Sequence, residues 1–228
     1  MPFDTIFLDA GGVLVWPNWT RVSDALRANG IEVDPASLAA ADPFVRRSLD
    51  VAELIAAAAD QRRGWNYFEL VLTKAGVTLS AAAEAALVTV QEYQRTTNIW
   101  EHVPNFVPPA LSELRRRGHR LVVVSNANGT LRQAFRRLGL DVLVDILVDS
   151  AEEGFEKPDR RIFELALKRA GAQPETTLHV GDFYHIDVVG ARAAGLTSIL
   201  VDEANLHRDA DCVCIRTIAE LPRFVEQL

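Results

Sequence analysis

Ile6-Phe7-Leu8-Asp9-Ala10-Gly11-Gly12-Val13-Leu14 sets a short apolar run directly before an aspartate and a glycine turn. A run of this length bounded by glycine reads as a buried β-strand. Further polar stations follow, each at or just past the end of a β-type run or in a loop. Ser125 follows Leu121-Val122-Val123-Val124, Lys157 sits in Glu156-Lys157-Pro158, and Gly181-Asp182 with Asp187 follows Leu178-His179-Val180. Parallel sheets collect ligand sites at the carboxyl ends of their strands, so these groups are expected to converge there.

From about His102 onward the pattern alternates between helical and strand periods. Helices are expected at Phe106 to Arg117, Gly129 to Leu138, Arg160 to Ala170 and near Val188 to Ala194, with one more at the end of the chain. Strands are expected at His119 to Val124, near Val142 to Val148, and at Thr177 to Val180, Ser198 to Val201 and Cys212 to Ile215. Repeated βα units with short polar joints predict an α/β fold, a parallel Rossmann-like sheet with helices on both faces. The interval from Trp16 to about Trp100 differs, being alanine-rich, helical in period and without a convincing strand. Helices are expected there at Trp19 to Ala28, Pro35 to Arg47, Val51 to Arg62, Tyr67 to Ala75 and Ala81 to Arg95. The expected division is therefore a core of residues 1–15 and 101–228 interrupted by an all-helical module, 16–100.

Composition narrows the function. At 228 residues and 49% hydrophobic content, the chain can bury one large core and a smaller appended module. A net charge of -7 argues against nucleic acid as a partner. The opening Met1-Pro2-Phe3-Asp4 carries no basic and apolar leader pattern, and no uncharged apolar stretch is long enough to span a bilayer. A soluble, cytoplasmic protein with no membrane partner is expected. Cys212 and Cys214, two residues apart on a strand, read as small core thiols rather than as a metal or redox pair. Arg46-Arg47, Arg62-Arg63, Arg115-Arg116-Arg117 and Arg136-Arg137 read as solvated helix faces. Trp16, Trp19, Trp65 and Trp100 all fall in the inserted module or at its ends, mainly as helix-packing residues, with a pocket lining as the other reading.

The order Asp9-Ala10-Gly11-Gly12-Val13-Leu14, Ser125, Lys157, Gly181-Asp182 with Asp187 resembles the haloacid dehalogenase (HAD) superfamily. The first motif of that family reads D-x-D-G-[TV]-[LV], followed by a Ser/Thr, a Lys and a GDxxxxD-type acidic motif. The resemblance spans about residues 5 to 201 and implies a helical cap in the inserted interval. It also implies Mg²⁺ as cofactor and a small phosphorylated molecule as substrate. On that resemblance Asp9 is the nucleophile that forms an aspartyl-phosphate, and Asp9, Asp182 and the Gly11 carbonyl hold Mg²⁺, with Asp187 helping directly or through water. Ser125 hydrogen-bonds the phosphoryl group with Asn126 or backbone amides, and Lys157 neutralises Asp9 and the transition-state charge. Gly12, and Gly11 itself, let the backbone approach the phosphate closely.

Gly11 stands where the family pattern has a second aspartate, the acid that protonates the leaving oxygen. Three readings follow. One is a Mg²⁺-dependent phosphohydrolase acting on good leaving groups, or with a substitute acid from the insert, Tyr184 or His185. Another is a 2-haloacid dehalogenase, in which halide leaves without a proton, although the Gly181-Asp182 motif departs from the dehalogenase pattern. The third is a non-catalytic protein that binds a phosphoryl ligand. A positive φ at Gly11 would resist installing an aspartate there.

Overall fold

A computed structural model describes residues 3–52, 55 and 60–226, with side chains outside 60–65. The chain divides into two compact units, one of Met1–Trp16 with Val103–Leu228 and the other of Pro17–His102.

The first unit is built on a sheet of six parallel strands. These are β1 (Thr5–Leu8), β4 (Arg120–Ser125), β5 (Ile146–Asp149), β6 (Thr177–Gly181), β7 (Thr197–Val201) and β8 (Val213–Ile215). Their spatial order is β5-β4-β1-β6-β7-β8, which puts the strand carrying Asp9 between those carrying Ser125 and Asp182. All four residues of β1 and all five of β6 are buried, as expected of central strands covered on both faces. Phe7, Val122, Val124 and Val148 pack on one face against Ile162, Phe163 and Ala166 of the helix Arg160–Ala170. Alternation along the strands turns Ile6, Leu8, Leu121 and Val123 to the other face, where the buried side of the helix Val107–Arg116 contributes Leu111 and Leu114. Asp159 caps the helix Arg160–Ala170 by accepting from the Arg161 amide, and Gly171 ends it at φ 61°.

Two expected elements change form. The strand near Val142 to Val148 begins as a 3₁₀ turn at Asp141–Leu143, and pairing starts only at Ile146. The helix near Val188 to Ala194 begins earlier, as a π-helical turn at Tyr184–Val188. The two cysteines are not core thiols: Cys212 is half-buried and Cys214 exposed, because β8 is an edge strand.

The second unit has helices Trp19–Ala28, Pro35–Leu49, Asp60–Lys74 and Ala81–Thr96. Asn18, Asp34 and Ser80 cap three of them. Trp19, Tyr67, Phe68 and Trp100 form one aromatic cluster in its core, so Trp19 and Trp100 pack helices as expected. Arg46 is not solvated: it is buried, with Nε donating at 3.0 Å to Asp42, which also accepts from the Tyr67 hydroxyl. Half of the expected helix from Val51 to Arg62 lies outside the described residues, as do the side chains of Arg62, Arg63 and Trp65. Two short strands the sequence did not suggest, β2 (Trp16–Pro17) and β3 (Trp100–His102), make a separate two-stranded sheet. Among the described residues no helix is long and apolar enough to cross a membrane.

Candidate active site

The stations meet at the carboxyl ends of β1, β4 and β6, all within the first unit. The Asp9 amide donates to Val180 O at 2.9 Å, extending the β1–β6 ladder by one residue and fixing where the side chain leaves the sheet. After Asp9 the chain turns tightly. Leu14 and Val15 both donate to Ala10 O, and Gly12, at φ 67°, donates to Val15 O at 3.0 Å. Gly12 thus supplies the left-handed position of the turn, and its amide serves that turn. Gly11 does not take a positive φ and forms a bridge with Val15.

Asp9 Oδ1 accepts from the Ala10 amide at 2.7 Å and lies 2.9 Å from Lys157 Nζ. Among the described residues no hydrogen bond reaches Oδ2, while the side chain keeps 14% of its surface exposed. Lys157 is fully buried, one of only three lysines in the chain. Its ammonium also donates to Asp187 Oδ1 at 2.7 Å. Burial alone would depress the Lys157 pKa, but the Asp187 and Asp9 carboxylates outweigh it and hold the ammonium above its ordinary range. Burial pushes the Asp9 carboxyl up despite Lys157. Asp187 goes the other way: burial opposes ionisation, yet Lys157 and His179 hold its pKa well below the ordinary carboxylate range.

Both oxygens of Asp187 are engaged, Oδ1 by Lys157 and His179 and Oδ2 by the Phe183 amide at 3.0 Å. The π-helical turn makes this possible, since the Asp187 amide donates to Phe183 O at 2.8 Å and the side chain folds back under Gly181. One carboxylate oxygen each from Asp9, Asp182 and Asp187 lies within 4.8 Å of the others. Clustered hard oxygens are the donor set that Mg²⁺ takes.

Ser125 ends β4, buried and in register with Asp149 of β5. Asn126 does not point its amide freely into the site. Its Oδ1 accepts from the Lys157 amide at 2.7 Å and its Nδ2 donates to Lys157 O at 2.9 Å, clamping the lysine's backbone. Tyr184 donates its hydroxyl to Asp211 Oδ1 at 2.7 Å in an exposed contact shared with Arg192.

Two residues were not singled out from the sequence. Asp149 accepts from the amides of Gly129, Leu131 and Ala151, fixing the loop that follows Ser125. His179 sits on central strand β6, 2.9 Å from Asp187. A polar residue inside a parallel-sheet strand is itself the signal that would have found it, because such a side chain is buried only with a partner.

A haloacid dehalogenase-like hydrolase model matches residues 3–195. The chain belongs to that family. The glyceraldehyde 3-phosphate phosphatase of Methanothermobacter thermautotrophicus is 42% identical over 105 residues, 45% of this chain and 46% of that protein. The human haloacid dehalogenase-like hydrolase domain-containing protein 3 is 44% identical over 91 residues, 40% of this chain and 36% of that protein. The chain thus aligns with less than half the length of each of these two HAD relatives. Among solved structures, a HAD hydrolase of Bacillus subtilis bound to magnesium superposes with a TM-score of 0.70 over 99% of each chain at 20% identity, which establishes the shared fold.

Proposed function

We propose that this HAD hydrolase is a Mg²⁺-dependent phosphohydrolase acting on a small phosphorylated metabolite through an aspartyl-phosphate at Asp9. The observation that carries the reading is the clustering of the Asp9, Asp182 and Asp187 carboxylates, two of which, Asp9 and Asp187, also pair with the buried Lys157. Three clustered acids with a lysine against two of them suit a metal and a phosphate together, and the phosphatase name of a 42% identical relative points the same way.

Asp9, Asp182 and the Gly11 carbonyl would hold Mg²⁺, with Asp187 acting through water because Lys157, His179 and the Phe183 amide occupy its oxygens. When bound, the ion would screen the negative charge of nucleophile and phosphate. Asp9 Oδ2 attacks phosphorus, the bond to the leaving oxygen breaks, and the leaving group departs with the bonding pair. Lys157 holds Oδ1 in place and offsets the charge that accumulates. The Ser125 hydroxyl donates to a phosphoryl oxygen, and the loop after it offers main-chain amides held in place by Asp149. Water then attacks the phosphorus of the aspartyl-phosphate, releasing phosphate and restoring Asp9. The helical unit would act as a cap that selects the substrate.

A screen of phosphate esters, acyl phosphates and 2-haloacids, with and without Mg²⁺ and beside Asp9→Asn, tests this. Turnover of phosphorylated compounds that needs both Mg²⁺ and Asp9 is expected. Metal-independent halide release would instead mark a dehalogenase, and silence with retained phosphate binding would mark a binding protein.

A further inference from the structure

The polar chain from Asp9 through Lys157 to Asp187 continues one step further, to a histidine that no reaction step above uses. His179 is fully buried in the middle of β6, where every residue is buried. Its ring meets Phe163 edge-on at 5.1 Å. Nε2 lies 2.9 Å from Asp187 Oδ1, and Nδ1 has no hydrogen-bond partner among the described residues. An ionised carboxylate only accepts, so Nε2 carries the proton and Nδ1 is left as a bare acceptor. Burial also lowers the imidazole pKa, the direction that keeps the ring neutral despite Asp187.

Packing alone does not explain this residue. Strands buried on both faces are filled by Val, Ile and Leu, and a buried polar atom without a partner is destabilising. The half of the ring that is satisfied holds Asp187 Oδ1, the oxygen that also accepts from Lys157. Without that second donor only Lys157 and the Phe183 amide hold the carboxylate, so its Oδ1 end is less firmly fixed and Lys157 Nζ loses part of the support that keeps it 2.9 Å from Asp9.

We propose that His179 is a positioning residue: its Nε2–H anchors Asp187, so that Asp187 holds the Lys157 ammonium against the nucleophile, at the expense of an unpaired Nδ1. The proposal rests on the reading of Asp9 and Lys157 as the reacting pair.

His179→Gln and His179→Met, similar in length and differing in the donor, separate anchoring from packing. With p-nitrophenyl phosphate and Mg²⁺, His179→Met should lose about 10- to 100-fold in kcat, the range typical of groups that orient a site from behind. Its KM and melting temperature should stay near wild type, and His179→Gln should recover much of the rate. The three lysines, Lys74, Lys157 and Lys168, allow a readout independent of turnover. In [¹⁵N]lysine-labelled protein at low temperature, the buried Lys157 ammonium should give a protected signal in wild type and His179→Gln and lose it in His179→Met. A His179→Met variant that fails to fold, keeps the wild-type rate, or declines in step with His179→Gln overturns the proposal. Failure of the phosphohydrolase reading would look different: wild type no faster than Asp9→Asn, with the Lys157 signal still depending on the donor at 179.

Discussion

A β-carbon on Gly181 would lie 2.1 Å from Cγ of Asp187. The glycine at the end of β6 is therefore required for packing: it leaves room for the carboxylate that folds back beneath it to reach Lys157 and His179. Gly181→Ala should destabilise the protein by about 1 to 3 kcal/mol, as overpacking does, and should lower turnover by displacing Asp187. Denaturant melts and steady-state rates check both; wild-type stability and rate together would mean that Asp187 has another seat.

Lys157→Ala leaves Asp187 and Asp9 facing each other without their shared cation in a buried site. Removing one partner of a buried ion pair is destabilising by about 3 to 5 kcal/mol, so a large fall in the unfolding midpoint is expected along with loss of activity. Equilibrium unfolding measures the first and the p-nitrophenyl phosphate rate the second.

Asp182 tests the metal assignment. Calorimetry in the presence of a phosphate analogue should show Mg²⁺ uptake by wild type and little or none by Asp182→Ala, since one of the few fixed oxygen ligands has gone. Equal uptake by the two would remove Asp182 from the metal site.

The six core strands, their parallel direction and the placing of Asp9, Ser125 and Asp182 at strand carboxyl ends were legible because alternation and apolar runs are local signals, and parallel sheets gather such groups at one edge. What sequence could not reach was the fate of individual polar atoms. Asn126 reads as a phosphate ligand, yet its amide clamps the Lys157 backbone from 31 residues away. Arg46 reads as a surface cation, yet it is buried against Asp42, whose carboxylate also accepts from the Tyr67 hydroxyl. His179 passed as one residue of an apolar run because its partner, Asp187, returns to it through a π-helical turn that no periodicity announces. Which glycine of the first turn takes the left-handed conformation was likewise out of reach; it is Gly12.

Gly11 also leaves no carboxylate at the acid's position in the family motif. Without a carboxylate at Gly11 the leaving group departs as an anion, so the rate of phosphoryl transfer to Asp9 should fall steeply as the leaving group becomes more basic. Acyl phosphates and p-nitrophenyl phosphate should react far faster than sugar phosphates. Because Gly11 does not require a positive φ, Gly11→Asp should be accommodated and should raise turnover of alkyl phosphates, by up to about 10²-fold if the new carboxyl acts as a general acid. A flat dependence on leaving-group pKa, with chemistry rate-limiting, would show that a group of the 17–102 unit or His185 already supplies the proton.

Covalent chemistry at Asp9 is the central step of the proposed reaction. Wild-type protein mixed with acetyl phosphate and Mg²⁺, quenched and reduced with borohydride, should carry homoserine in place of Asp9 when its peptides are sequenced by mass spectrometry. The mark should be absent without Mg²⁺ and absent in Asp9→Asn. Phosphate released at the wild-type rate with no trapped intermediate at Asp9, or with the mark on another carboxylate, would contradict the account.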